Sequence, residues 1–130
     1  MNERAEKAEA LIAKMKKDRG YIYPEWEFAA RADPDFVEAY NTLYRAALND
    51  GQALDAKTRE LVALGILAYR RDTNAVKAHI LRAMRLGATR QEILDAIETT
   101  IIPGGAPTFF VGLKALMQAL EELKETTPPM

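Results

Sequence analysis

The stretch KTRELVALGILAYRRDTNAVKAHILRAMRLG, Lys57 to Gly87, decides the fold. Leu61, Leu64, Ile66, Leu67 and Ala68 recur at helical spacing, the polar segment Arg70 to Asn74 interrupts them, and a second periodic run goes from Val76 to Gly87. Two helices joined by a tight polar turn account for this pattern. The stretch also holds the only histidine, His79, and a glutamate, Glu60, that precedes a nearly unbroken apolar run.

Outward from this pair the chain reads as further helices. Asn2 to Asp18 carries a narrow stripe of Ala8, Leu11, Ile12 and Met15, which predicts an amphipathic helix ending before Gly20, with a face narrow enough to seat against a neighbouring subunit. Tyr21, Ile22, Tyr23, Trp26 and Phe28 surround Pro24, the first residue of a short helix; dense aromatics of this kind either pack or line a pocket, and packing is the commoner use. Asp33-Pro34 starts a helix that places Phe36, Val37, Tyr40, Leu43, Tyr44 and Ala47 on one face and stops at Asn49-Asp50-Gly51.

Asp55 caps the helix that holds Glu60, and Asp72 or Thr73 caps the one that holds His79. Thr89 and Glu92 have capping-box spacing and open a helix with Ile93, Leu94, Ile97 and Ile101, which Pro103-Gly104-Gly105 ends. The last helix starts near Pro107 and carries Phe110, Leu113, Leu116, Met117 and Leu120; Met15 and Met117 read as core-fillers, and 126–130 as a frayed tail. No segment alternates as a strand does. The expected fold is all-α, with six to seven helices in one domain, 1–130, around a central antiparallel pair.

Composition narrows function. With Lys+Arg 18 against Asp+Glu 19, net charge is −1, so neither nucleic acid nor an anionic membrane is an expected partner. The basic clusters Lys14, Lys16, Lys17, Arg19 and Arg70, Arg71 read as solvated helix ends. There are no cysteines, which removes disulfides, thiolate ligands and thiol catalysis. One histidine and scattered carboxylates make no metal site, and no cofactor is expected. A charged N-terminus without an apolar core, and no bilayer-length apolar run, point to a cytoplasmic protein.

His79 and Glu60 carry the candidate chemistry. A lone histidine at the edge of an apolar face is commonly structural, yet an imidazole with an ordinary pKa of ~6.5 moves protons near neutrality. Glu60 reads either as an exposed first-turn acid, favourable near a helix N-terminus, or as a carboxylate buried between helices and suited to proton transfer. In a simple hairpin Glu60 lies about 11 residues before the turn and His79 about 6 after it, a mismatch of roughly 8 Å. A crossing angle, a water or a substrate between them is therefore the expectation.

Glu60, then His79-Ile80-Leu81-Arg82-Ala83, the turn Gly87-Ala88-Thr89-Arg90-Gln91-Glu92-Ile93 and Pro103-Gly104-Gly105-Ala106-Pro107 follow in an order that resembles the carboxymuconolactone decarboxylase and alkylhydroperoxidase D-like family, over roughly Leu54 to Leu123. The peroxidase branch has a glutamate, two cysteines three apart, and a histidine four beyond the second. Glu60 and His79 match the outer pair, but the cysteine positions fall on Asp72 and Ala75, which excludes the family's thiol chemistry here. The decarboxylase branch also lacks the cysteine pair and keeps a histidine at the His79 position, though it tends to carry an acid where Ala75 stands.

The resemblance implies cofactor-free decarboxylation of a small lactone acid in aromatic-compound catabolism, and a homotrimer or homohexamer. It gives His79 the role of proton donor and Glu60 that of its partner or general base. Arg70, Arg71, Lys77 or Arg82 would clamp the substrate carboxylate, and the exposed amides of the Gly104-Gly105 segment would meet the anion. The alternative is a cysteine-less relative that keeps the helical scaffold and its assembly without turnover. Fold alone does not separate the two.

Overall fold

A computed structural model describes residues 2–126, with side chains through residue 124; the tail expected at 126–130 lies, apart from the backbone of Thr126, outside the described residues. Among these residues the chain forms seven α-helices and no strand: α1 (Glu3–Arg19), α2 (Pro24–Ala32), α3 (Pro34–Leu48), α4 (Ala56–Tyr69), α5 (Thr73–Arg85), α6 (Arg90–Thr99) and α7 (Ile101–Thr126). They fall into two compact units, Met1–Asn49 and Asp50–Met130.

In the first unit, Asn2 accepts from the Ala5 amide to start α1, and Gly20 ends it in the left-handed conformation (φ 82°), donating to the Lys16 carbonyl. Pro24 opens α2, and Asp33 caps α3 through the Phe36 amide. The stripe of α1 is covered within the unit: Leu11, Ile12 and Met15 pack with Ala30 and Val37, and Ile22 and Trp26 close over them. Trp26 stacks on Tyr40 with centroids 4.3 Å apart, whereas Phe28 projects into solvent.

Two expectations are corrected here. Arg19 is not a solvated helix end: it is buried, donates to Asn41 Oδ1 at 3.1 Å, and lies with its guanidinium 3.8 Å from the Tyr44 ring centroid. The planar cation is held between an amide and a π face, which suits burial better than an ammonium would. On α3, Phe36 and Leu43 are exposed, because the inward stripe runs instead through Val37 and Asn41, where Arg19 supplies the polar partner.

The second unit is built on the α4–α5 hairpin. Asp55 accepts from Thr58 to start α4, and Asp72 accepts from the Ala75 amide at 3.1 Å to start α5. The turn between them spans only Arg70–Asp72. Arg71 there adopts φ 61°, donating to Ala68 O while Asp72 N reaches Leu67 O, the paired bonds of a Schellman ending with arginine in the place usually held by glycine. α5 and α6 pack on α7, and α4 on all three. The core is Leu64, Val76, Ile80, Ile93, Ile97 and Leu116, with small residues Ala68, Ala83, Ala115 and Ala119 at the crossings.

Thr89 and Glu92 form the full capping box of α6. That helix ends at Thr99, two residues earlier than the apolar pattern suggests. Ile101 to Gly104 form a first helical turn, and the break comes at Gly105 (φ 80°, ψ 173°), where two helical pieces meet, so the Pro-Gly-Gly segment interrupts the helix and the long piece starts near Pro107, as the sequence suggests. Met117 is 70% exposed and Phe110 is also exposed, which corrects their placement in the core. The buried stripe of α7 runs through Thr108, Ala115, Leu116 and Ala119, and Gly112 on it brings α7 against Ile97.

Candidate functional site

Glu60 has no exposed surface, which decides between its two readings: it is a carboxylate buried inside the hairpin. A buried charge must be paired, and two groups from α5 meet it. His79 Nδ1 lies 2.6 Å from Oε2, and Arg82 donates to Oε1 at 2.6 Å. The imidazole is 16% exposed, the guanidinium 8%.

The direct Glu60–His79 contact sets aside an intervening water or substrate among the alternatives and leaves the geometry of the helix pair itself. Glu60 lies nine residues before Tyr69, the last residue of α4 (69 − 60), and His79 six after Thr73, the first of α5 (79 − 73). The offset is three residues, or about 4.5 Å of helix rise, within reach of a glutamate side chain and an imidazole ring. Arg82 is nine residues into α5 (82 − 73) and stands level with Glu60. A buried glutamate demands a cation, and Arg82 is the basic residue three beyond His79 on the same side of α5; that demand was the signal for its role.

A carboxylate oxygen accepts, so in the contact with Glu60 the hydrogen is donated by His79 Nδ1. Among the described residues His79 makes no second hydrogen bond, and Nε2 is left for solvent or a ligand. Arg82 is always charged and offsets the Glu60 carboxylate. The contact with Glu60 orients the partly exposed imidazole through its Nδ1.

The remaining candidates lie apart. Arg70 and Arg71 are exposed at the hairpin turn, ten and eleven residues beyond Glu60, about 15 Å along the helix. Lys77 pairs with Glu122 at 3.1 Å. Asp72 serves as the α5 cap, and Ala75 is the residue it caps. Gly104 and Gly105 lie at the start and break of α7, and Gly104 lines a cavity of about 550 Å³ between α4, α6 and that first turn. This cavity is on the far side of α4: Val62 and Tyr69, which line it, stand about 200° and 180° around the helix from Glu60. No group of three or more metal-ligating side chains occurs among the described residues, and no helix there is long and apolar enough to cross a membrane.

Comparison with known proteins places this helical chain in a family. The family model of the carboxymuconolactone decarboxylases matches residues 34–118, and the chain belongs to the carboxymuconolactone decarboxylase family. Two uncharacterized proteins of Methanocaldococcus jannaschii are similar to it, one 38% identical over 61% of this chain and 83% of the relative, the other 34% identical over 65% and 78%. Among solved structures, a Burkholderia xenovorans protein assigned by name to the carboxymuconolactone decarboxylases superposes with a TM-score of 0.78 at 25% identity, over 94% of this chain and 95% of its own. The apo form of a carboxymuconolactone decarboxylase family protein from Legionella pneumophila gives 0.68 at 26% identity, over 89% and 96%.

Proposed function

We propose that the protein is a cofactor-free acid–base enzyme of the cytoplasm that acts on a small carboxylated or lactone metabolite, with His79 Nε2 as the group that exchanges a proton with the substrate. The observation that carries this reading is the pair of 2.6 Å contacts on Glu60, which fix the tautomer and direction of the imidazole. In a decarboxylation the carbon–carbon bond to the carboxylate breaks, carbon dioxide leaves, and the electron pair remains on a carbon conjugated with the lactone carbonyl. His79, having taken a proton from solvent on Nε2, then delivers that hydrogen to the carbon and returns to the neutral imidazole. Arg82 belongs to the support of this base through Glu60. With Asp72 and Ala75 at the family's cysteine positions, no thiol step enters.

Nitrogen-resolved NMR of the single histidine tests the reading. For the neutral imidazole the expected spectrum has the hydrogen on Nδ1, and lactone acids shift Nε2 first. Glu60→Gln is expected to disturb the tautomer, and His79→Gln to lower release of carbon dioxide by about 100-fold or more. A mixed tautomer that ignores every lactone and dicarboxylate tried would sink the proposal.

A second reading, an assembly module without turnover, is favoured by the apolar surface of α7. Ile102 is 90% exposed, and Phe110 and Met117 lie two turns apart on one side of the helix. Self-association as a homotrimer or homohexamer fits either reading, and light scattering on the purified protein measures it directly.

A further inference from the structure

The cavity behind α4 has a chemistry unlike that of the Glu60–His79 site. We infer that it binds a small, uncharged, mainly apolar molecule of two or three fused or linked rings. Its volume of about 550 Å³ lies within the range of ~300–1,000 Å³ usual for small-molecule sites. Leu61, Val62, Gly65, Ile66 and Tyr69 of α4 form one wall, and no ionisable side chain other than the Tyr69 phenol lines the space.

The polar atoms that do line it have spent their hydrogens elsewhere. Thr99 donates to Asp95 O at 2.9 Å, Thr100 to Ile97 O at 2.6 Å, and Thr108 to Gly104 O at 2.9 Å. Thr58 bonds the Asp55 carboxylate, which only accepts. An anion entering the cavity would meet neither a cation nor a free threonine donor, and its desolvation would go uncompensated. Water is poorly held for the same reason. The site therefore selects against the carboxylates that the histidine site is proposed to take.

Two glycines keep the space open. A Cβ on Gly65 would touch the Thr100 methyl at 3.4 Å, so any longer side chain there projects into the cavity. A Cβ on Gly104 would come within 2.7 Å of Thr108 Oγ1, displacing the hydroxyl that closes this end. Val62, Ile66 and Tyr69 are more than half exposed and form an apolar mouth.

The test sets N-phenyl-1-naphthylamine, which is uncharged, against 8-anilinonaphthalene-1-sulfonate, which adds a sulfonate to the same rings. The expected result is saturable fluorescence enhancement by the neutral probe at one per chain, with the sulfonate binding at least about tenfold more weakly. Gly65→Leu and, at the exposed mouth, Val62→Trp are each expected to weaken the neutral probe by about tenfold or more. Val62→Trp keeps the test decisive if Gly65→Leu does not fold. The inference is overturned if neither probe saturates, if the sulfonate binds equally well, or if the folded variants bind as the native protein does. It is also overturned if probe binding fades as protein concentration and light-scattering mass rise together, since a second copy would then own the cavity.

Discussion

Glu60 and Arg82 stand level across the α4–α5 hairpin, each nine residues from the turn-side end of its helix, and their side chains meet at 2.6 Å with the carboxylate fully buried. This pairing is what permits a carboxylate to be fully buried and still hold His79 by its other oxygen. The cation that sequence pattern offers to a substrate is instead committed to the base's own support.

Removing that cation should therefore cost more than a surface charge would. Arg82→Met leaves Glu60 buried without its counter-charge, and the expected loss is about 3–5 kcal/mol in urea unfolding at pH 7. The double variant Arg82→Met, Glu60→Gln should recover part of it, because the stranded charge is gone. Equal stability of the single variant and the native protein would show that Glu60 does not depend on Arg82.

Much of this was legible before any coordinates. Asp33-Pro34, Asp55, Asp72 and the Thr89–Glu92 box place helix starts because capping is local chemistry, decided within four residues. Glu60 and His79 were legible as a pair, but their contact was not: it depends on a turn of three residues, and one residue of turn length moves the register by about 1.5 Å. Phe36 and Met117 are misplaced because periodicity tells which residues share a face, not which face turns inward, and Arg19 because a basic residue in a last helical turn carries no local sign of the Asn41 and Tyr44 partners that bury it. Gly112 gave no signal at all, since a lone glycine in a helix pattern looks like a weakness until its neighbour is known.

The Arg71 backbone makes a second prediction. Its φ of 61° is the left-handed region that L side chains occupy at a cost of ~1–2 kcal/mol. Arg71→Gly relieves that cost but adds freedom to the unfolded chain, so a net gain of up to about 1 kcal/mol is expected in thermal or urea unfolding. If Arg71 also clamps a substrate carboxylate, the stabilised variant loses affinity for lactone acids, and the two effects are read separately.

Gly112 reverses the usual helix arithmetic. Alanine is a better helix former by ~1 kcal/mol, yet a Cβ here would lie 2.7 Å from Ile97 Cγ2, and Ile97 is fully buried. Overpacking of this kind costs about 1–3 kcal/mol, so Gly112→Ala should destabilise on balance. In an Ile97→Ala background the same change should become neutral or favourable. A destabilisation that persists there would place the conflict elsewhere than at Ile97.

The Lys57–Glu92 pair sets the pH range over which the α4–α6 contact holds. The Lys57 ammonium, 2.9 Å away, and then the Thr89 amide hold the Glu92 carboxyl below its ordinary value of 4.5, while the same hydrogen bond to Glu92 raises Lys57 above 10.5. A depressed carboxyl contributes stability that is complete above its unfolded value and lost as pH falls through the lower folded one. A raised ammonium contributes stability that is complete below its unfolded value and lost as pH rises through the higher folded one. Glu92→Gln keeps an oxygen for the Thr89 amide and removes only the charge. Native and variant melting temperatures should therefore differ between about pH 5 and pH 10 and converge beyond both ends. A constant gap at every pH would assign the difference to the cap geometry instead of the ion pair.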